Sequence, residues 1–370
     1  MDTLRVTAKS LPTDSRQRNR ALVLRTLFHD GPLTRSDLAH RSGLTRVTIA
    51  DLIAELADER VIVAHGTPVR GTVGKPAQTF EFNEDAYRIV CLDLAPADRF
   101  DGAVTTLRGK IIERAHVSLE GVTGAAALEK VRELARTLVS PCREQILGIG
   151  ISSPGIVANG TVRQAPNLGW YDQPLAAILS TEFVLPTHVS NDANASALAL
   201  HTLQPDTSRS LMLVTIEHGV GAALIVGDSL VEGEQNTAGE IGHVVVDENG
   251  ERCSCGRRGC VELAVSVPRL KQKVEAVPAE ERERVLDDAG RALGIALAPI
   301  VAALNLNEVL LAGPTHLING SFLSAVARTI RERTLSAVSH GLHLRAVEDS
   351  ATLRLRGAAA VVLRAELGIS

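Results

Sequence analysis

Aromatic residues are the scarcest class in this chain of 370 residues, which has one Trp, two Tyr and six Phe. Hydrophobic residues still make up 45% of the sequence, so the core has to be built from aliphatic side chains and alanine. The length leaves room for two or three domains of ordinary size.

Long apolar runs are also missing. The first 20 residues lack the apolar segment of a secretory signal. The most apolar helix candidate, 292–304, contains Pro299 and is too short to span a bilayer. We therefore expect a cytoplasmic protein with no membrane partner.

Cysteine is rare as well, yet three of the five cysteines fall between positions 253 and 260. Such clustering is typical of a metal site in a reducing compartment rather than of a disulfide framework. With one histidine upstream, three thiolates complete a closed tetrahedral set that suits a structural Zn²⁺. The predicted ligands are His243, Cys253, Cys255 and Cys260. The alternative is a group of redox-active or simply buried thiols.

Two carboxylates accompany the predicted zinc ligands without being needed by the metal. Glu240 comes three residues before His243, and Glu262 comes two after Cys260. On loops fixed by zinc, both would be good acceptors for sugar hydroxyls. Taken singly, either could be an ordinary solvated glutamate.

The charge is unevenly distributed along the chain. The net charge is only −4, but residues 1–80 carry 12 Lys and Arg against 8 Asp and Glu. A basic front on an acidic body is typical of a DNA-binding segment joined to a ligand-sensing one.

The basic front has the pattern of a helix-turn-helix. Apolar spacing predicts a helix over 18–30, Thr34 and Asp37 predict a capped second helix, and Thr45 predicts the start of a third at 46–59. The third helix has a buried stripe, which leaves Arg46 and Thr48 exposed near its N-terminus. Thr45 should lie close to a DNA phosphate. The role of Asp51, on the exposed side, stays open between a base contact and a position outside the interface.

Two short strands, 61–63 and 79–82, flank a glycine-rich segment and predict a wing. Arg70 and Lys75 on its tip could lie along the phosphate backbone. The alternative is a winged helix that makes only protein contacts.

The rest of the chain reads as two related α/β lobes, each beginning with a strand hairpin, at 87–107 and 210–226. Asn191 and Asp192 follow a strand and open a helix, a place where α/β proteins bind ligands. A plain helix cap is the alternative for this pair.

The segments G-E-x-G-H at 239–243 and C-x-C-G-x-x-G-C-x-E at 253–262 resemble the signature of the ROK family of repressors and sugar kinases. The resemblance implies an actin-like, ribonuclease-H-like body of two lobes around a cleft. It also implies zinc at the four predicted ligands. The implied sugar contacts are Asn191, Asp192, Glu240, His243 and Glu262. In the kinases of the family, the residue matching Asp192 is the general base. The three helices and wing resemble the heads of ROK repressors.

The sequence departs from the kinase pattern where phosphates would bind. The kinases carry D-x-G-G-T, but this chain has Asp93-Leu-Ala-Pro-Ala-Asp98. The second phosphate loop begins with Glu217 but keeps Gly219 and Gly221, and the 311–314 loop partly matches the adenosine side. Because phosphoryl transfer depends on positioning and charge neutralisation, efficient use of ATP is not expected.

We therefore expect a tail at 1–14, a winged helix-turn-helix at 15–85 and a sugar-binding body at 86–370, with lobes near 86–205 and 206–370. The predicted protein is a sugar-responsive transcriptional regulator, most simply a repressor, and not an enzyme. It would bind operator DNA and a sugar or sugar derivative, as a homodimer or higher homo-oligomer. The alternatives are an ATP-dependent sugar kinase with a DNA-binding head, and a regulator without a small-molecule ligand.

Overall fold

A computed structural model describes residues 12–65, 78–141, 145–204, 208–318, 320–347 and 350–370. Over these residues the chain forms a helical head with wing strands, followed by a body with two five-stranded sheets. Among the helices in these ranges, none is both long and apolar enough to cross a membrane.

The head contains the three predicted helices and the strands of the wing. The first helix begins earlier than the apolar spacing indicates, at Pro12. Thr34 and Asp37 form the predicted capping box, and Gly43 ends the second helix in the left-handed conformation. The helices are α1 (Pro12–Asp30), α2 (Arg35–Ser42) and α3 (Arg46–Asp58). The antiparallel sheet has the order β1-β3-β2, with β1 (Leu33–Thr34), β2 (Ile62–His65) and β3 (Thr79–Phe82).

The first lobe is built on a mixed sheet whose centre is β4 (Arg88–Asp93). Its strand order is β11-β7-β4-β5-β6, in which β4 is parallel to β7 and antiparallel to β5. The other strands are β5 (Arg99–Thr106), β6 (Ile111–Ser118), β7 (Ile146–Ser153) and β11 (Thr187–Asn191). A small second sheet and two helices complete the lobe: β8 (Ile156–Ala158), β9 (Thr161–Ala165), β10 (Trp170–Gln173), α4 (Gly124–Val139) and α5 (Leu175–Phe183).

The second lobe repeats this plan around β12 (Leu211–Ile216). Its strand order is β14-β13-β12-β15-β16, with β12 antiparallel to β13 and parallel to β15. The remaining strands are β13 (Val220–Val226), β14 (Ser229–Leu230), β15 (Glu308–Ala312) and β16 (His343–Val347). Its helices are α7 (Val261–Val265), α8 (Val267–Glu275), α9 (Arg282–Leu304), α10 (Thr315–Ile318), α11 (Ser321–Arg333) and α12 (Ser336–Ser339).

Two helices lie between the sheets and connect them. α6 (Asp192–Leu203) packs against β12 and β13, whereas α13 (Ser350–Val362) packs against β4, β7 and α6. Their backbones meet at Gly357, where an added Cβ would lie 2.4 Å from the carbonyl oxygen of Ala195. The C-terminal helix therefore belongs physically to the first sheet, although it follows the second lobe in sequence.

The head and body share one hydrophobic core. Leu24, Leu27 and Phe28 of α1 belong to the same buried cluster as Val362 and Leu363 at the end of α13. The guanidinium of Arg108 lies 4.6 Å from the centroid of the Phe28 ring, a cation–π contact between body and head. The winged head is thus packed onto the body rather than joined to it only through a linker.

Candidate effector cleft, metal centre and DNA-binding surface

The four predicted zinc ligands lie together. Their donor atoms are all within 4.8 Å of one another. Cys255 Sγ and Cys260 Sγ are 3.6 Å apart, and Cys253 Sγ is 3.6 Å from His243 Nδ1. Ligand bonds of about 2.3 Å in a tetrahedron put two thiolates about 3.8 Å apart, so the donor set fits Zn²⁺.

Tight turns bring the ligands together. The N–H of Gly256 donates to the carbonyl of Cys253, and the N–H of Cys253 donates to the carbonyl of Arg257. Gly259 has a φ of +65°, and an added Cβ there would lie 1.6 Å from the carbonyl oxygen of Asp247. Only glycine can occupy this position, because the turn and the close approach both exclude a side chain.

A cleft of about 510 Å³ lies beside the cysteine cluster and is lined by both lobes. Gly155, Ile156, Gln164 and Pro166 come from the first lobe, and Glu240, His243, Val244, Cys255 and Arg257 from the second. Two predicted effector residues, Glu240 and His243, thus face the cleft. The Nδ1 atom of His243 is the one that faces Cys253 within the cysteine cluster.

The backbone around Glu240 is held tightly. The carbonyl of Gly239 accepts from the N–H of Ala222 at 2.9 Å, and an added Cβ at Gly239 would lie 1.9 Å from the carbonyl of Ala222. Desolvation raises the pKa of Glu240; His243 opposes the rise, and the charges of Asp192 and Glu262 add to it. These carboxylates are therefore close enough to interact.

Asp192 and Glu262 lie next to this lining rather than in it. Asp192 begins α6, and burial raises the pKa of its carboxyl group despite the opposing charge of Arg354. Glu262 Oε2 accepts from the N–H of Val220 at 3.2 Å, which joins α7 to the start of β13. Both carboxylates keep free acceptor positions, since a carboxylate has about four lone-pair sites.

Asn191 serves as the cap of α6. Its Oδ1 accepts from the N–H groups of Ala193 and Asn194, at 3.0 and 3.2 Å. Its Nδ2 donates to the carbonyl of Gly155 at 2.9 Å, at the edge of the cleft. The side chain makes the cap contacts that the alternative interpretation anticipates, and it also anchors a cleft-lining residue.

A residue that the sequence analysis missed lies between the two loops that correspond to the kinase phosphate loops. Arg354 of α13 lies between them, with Nε 2.8 Å from Oδ2 of the fully buried Asp93. Burial raises the pKa of Asp93 to about 6, although Arg354 opposes the rise. No local motif marks Arg354, because its partner is 261 positions away in the sequence.

The residues predicted to read DNA, Thr45, Arg46 and Thr48, lie at the start of α3. Its buried face consists of Ile49, Leu52, Ile53 and Leu56, as expected. Thr45 caps the helix by accepting from the N–H of Thr48 at 3.2 Å. Thr45 and Arg46 are exposed, and Thr48 is half-buried with its hydroxyl 2.9 Å from that of Thr45. Arg70 and Lys75 of the wing tip lie outside the described residues.

Val47 was also missed by the sequence reasoning. This apolar side chain is 71% exposed between Arg46 and Thr48. Asp51 is exposed as well and borders a shallow hollow with Arg16 and Asn19 of α1. Arg16 also forms an ion pair with Glu55 of α3. α1 therefore contacts one side of α3 through the Arg16–Glu55 ion pair, and the first turn of α3 is exposed to solvent.

Two sheets of matching topology around a cleft, with a winged head on the same chain, define a regulator built on a sugar-kinase type of body. The model of the ROK family matches residues 89–365, and the chain belongs to that family. The predicted fold and family are thereby confirmed.

Relatives of known description fall into two groups. A putative xylose repressor from Caldicellulosiruptor sp. (strain Rt8B.4) is 28% identical over 88% of this chain and 90% of its own length. An N-acetylmannosamine kinase from Yersinia pestis (strain Pestoides F) is 33% identical, but over only 61% of this chain and 82% of its own length.

Among solved structures, a ROK family transcriptional regulator described as a homologue of the E. coli MLC protein superposes with a TM-score of 0.82. It is 22% identical, and the match covers 96% of this chain and 99% of that one. At this identity the likeness shows the fold, which includes the head. Together the relatives support a sugar-responsive repressor more than a kinase.

Proposed function

We propose that this protein is a repressor that binds operator DNA through α3 and the wing and is released or engaged by a sugar in the cleft. The observation that carries the proposal is the shared core. A recognition helix with an open first turn belongs to a head that is packed onto the C-terminal helix of a sugar-kinase-like body. The xylose repressors among its relatives support the same function.

On the DNA side, we propose that Thr45 contacts a phosphate and that Arg46 and Thr48 reach base edges. The N-terminus of α3 offers N–H groups and the positive end of the helix dipole to a phosphate. Arg46 is exposed and has the donor geometry that suits guanine. We propose that Arg70 and Lys75 add phosphate contacts from the wing tip.

On the effector side, we propose that Asp192, Glu240 and Glu262 accept hydrogen bonds from sugar hydroxyls. His243 would donate or accept through Nε2 while Nδ1 holds zinc, and Asn191 would act at the cleft edge beside Gly155. We propose that His243, Cys253, Cys255 and Cys260 hold a zinc ion. The metal would stabilise the structure by fixing the segments that carry Glu240 and Glu262.

The kinase alternative has one specific observation in its favour, an aspartate at the start of α6 as in the kinases of the family. Two observations oppose it. Pro96 has no N–H for a phosphate, and the carboxylates of Asp98 and Glu217 add negative charge at the two phosphate loops. In the proposed function Asp192 is a hydrogen-bond acceptor and no phosphoryl transfer occurs.

The test is fluorescence anisotropy of the zinc-loaded protein on duplex DNA from upstream of its own gene. We expect salt-sensitive binding that one sugar from a panel of pentoses, hexoses and amino sugars changes at least tenfold. Arg46→Ala should weaken DNA binding at least fivefold, the loss expected of one base contact. Arg163→Ala, an exposed arginine of the first lobe, is the matched control and should have no effect.

Other outcomes would contradict the proposal. Specific DNA binding that no sugar changes would remove the effector role of the cleft. Sugar-dependent ATP consumption that is lost in Asp192→Asn would establish the kinase instead. We also propose an at least dimeric active form, because helix-turn-helix proteins read paired half-sites; sedimentation equilibrium at the DNA-binding concentration would measure it.

A further inference from the structure

A buried ion cluster joins the two lobes. Arg354 of α13 is 9% exposed, and its Nε lies 2.8 Å from Oδ2 of Asp93, the last residue of β4. Its Nη1 lies 3.7 Å from Oε1 of Glu217, the residue that follows β12. One guanidinium group therefore contacts the central strand end of both sheets.

A third carboxylate strengthens this cluster. Burial by itself lowers the pKa of Arg354, but the charges of Asp93, Asp192 and Glu217 outweigh it and leave the pKa raised. Asp192 is the first residue of α6, the helix that packs on the second sheet. The cation of α13 is thus attracted by the first sheet, the second sheet and the helix between them.

The two contacts of Arg354 differ in strength. Its bond to Asp93 is short and buried, so it fastens α13 to the first sheet. Its contact with Glu217 is longer, and the Glu217 side chain is 40% exposed, so this is the side that can open. Gly357, where the backbone of α13 meets that of α6 at Ala195, lies three residues after Arg354 on the same helix. A small rotation of the lobes about this contact would change the Arg354–Glu217 distance.

We propose that Arg354 is a positioning residue that ties the first lobe to the second and sets their separation around the cleft. A guanidinium group can do this because its planar donors point in several directions at once. The tie is a property of the free protein and requires no nucleotide. Its effect on ligand binding rests on the proposed function, since the sugar cleft is lined by both lobes.

The decisive variant is Glu217→Ala, which removes the carboxylate at the second-lobe end of the tie. It leaves the buried Asp93–Arg354 pair intact, whereas removing Arg354 would strand a buried charge and could prevent folding. Asp287→Ala is the matched control, because it removes an aspartate that pairs with Arg328 within the second lobe.

The measurement is hydrogen exchange of the full-length protein without sugar or DNA. We expect amides of residues 94–98, in the first lobe, to exchange at least fivefold faster in Glu217→Ala and to be unchanged in Asp287→Ala. A local role of Glu217 would change only residues 215–221, and that result would overturn the proposal.

Arg354→Lys gives a second test. It keeps a positive charge for Asp93 but has one compact ammonium group in place of the fork. We expect the amides of residues 217–221, in the second lobe, to exchange at least fivefold faster in Arg354→Lys than in the wild type. Unchanged exchange there would also overturn the proposal.

Sugar affinity provides a readout that depends on the proposed function. If a sugar of the panel binds, Glu217→Ala should weaken it at least threefold and Asp287→Ala should not; equal affinity in the two would overturn the role in ligand binding. If no sugar binds, the proposed function fails while the exchange result still decides whether the tie exists.

Discussion

At the scale of single residues, the proposed DNA-binding surface has an unusual member in Val47. Its side chain is 71% exposed at the start of α3, between a charged and a hydroxyl residue. In the major groove the C5-methyl group of thymine is the apolar feature of the base pairs. An exposed valine beside Arg46 therefore suits a site that contains thymine.

We predict that replacing one operator thymine by uracil weakens binding of the wild-type protein about fourfold. A fourfold change corresponds to the loss of about 0.8 kcal/mol of binding free energy, the contribution of burying one methylene-sized group. The same replacement should have no effect on Val47→Ala. The measurement is anisotropy on duplexes selected from random DNA, with uracil placed at one thymine at a time. If no uracil position distinguishes the two proteins, Val47 does not read a methyl group.

The buried Asp93 should make the stability of the protein depend on pH. Burial raises its folded pKa to about 6, whereas an unfolded aspartate titrates near about 4. Between these values the folded state binds more protons than the unfolded state, so this residue makes stability fall as pH rises. Its favourable contribution is complete below about pH 4 and is lost by about pH 7.

We therefore predict that Asp93→Asn makes the free energy of unfolding less dependent on pH between 4.5 and 6.5. Over that pH range the free energy of unfolding of the wild type should fall by about 2 kcal/mol more than that of Asp93→Asn. Urea unfolding at several pH values measures it, with Asp98→Asn as the exposed control. Equal slopes for Asp93→Asn and the wild type would show that the buried pair does not titrate there.

At the scale of elements, the segment that carries the predicted metal ligands has little regular secondary structure. Residues 239–260 form short turns, one 3₁₀ turn at Ile241–His243 and isolated bridges, and the exposed Cys255 belongs to the donor set. With so little regular structure, this segment would depend on the proposed zinc to hold its conformation, as small zinc modules do.

We predict that Cys253→Ser loses bound zinc and weakens sugar binding at least tenfold, because Glu240 and Glu262 lose their fixed positions. Cys91→Ala, at the buried cysteine of β4, should retain zinc. Metal content by mass spectrometry and exchange of residues 239–262 are the measurements. Specific DNA binding should persist in Cys253→Ser, since α3 belongs to a different core. Zinc content equal to that of the wild type would contradict this ligand set.

At the scale of the whole molecule, the contact between head and body should carry the coupling between sugar and DNA. α13 carries Arg354, which contacts both sheets, and its last residue, Val362, shares a buried core with α1 of the head. Gly368 has a φ of +66°, and an added Cβ there would lie 2.4 Å from Cβ of Ala21 in α1. A side chain at this position would push the head away from the body.

We predict that Gly368→Ala reduces the factor by which sugar changes DNA affinity, while each ligand still binds alone. By linkage, the factor by which DNA changes sugar affinity should fall equally. Gly227→Ala is the matched control, because Gly227 also has a positive φ but no atom within 4 Å of an added Cβ. Two titrations, of sugar with and without DNA and the reverse, measure both factors. A coupling factor as large as in the wild type would exclude this contact as the route.

Local patterns determined much of this protein from the sequence alone. The capping box at Thr34 and the buried stripe of α3 were predicted, because each depends on residues a few positions apart. The four-ligand cluster was predicted because three cysteines lie within eight residues and a histidine lies ten positions before the first of them. Spacing within a turn or helix fixes such groups geometrically before any tertiary contact forms.

Tertiary structure alone decided how these parts work together. Arg354 meets Asp93 across 261 positions, α13 returns to the first sheet, and the head shares a core with the C-terminus. Periodicity marks the face of an element that will be buried, but it carries no information about which distant face will cover it. The connection between the cleft and the DNA-binding head therefore exists only in the folded chain.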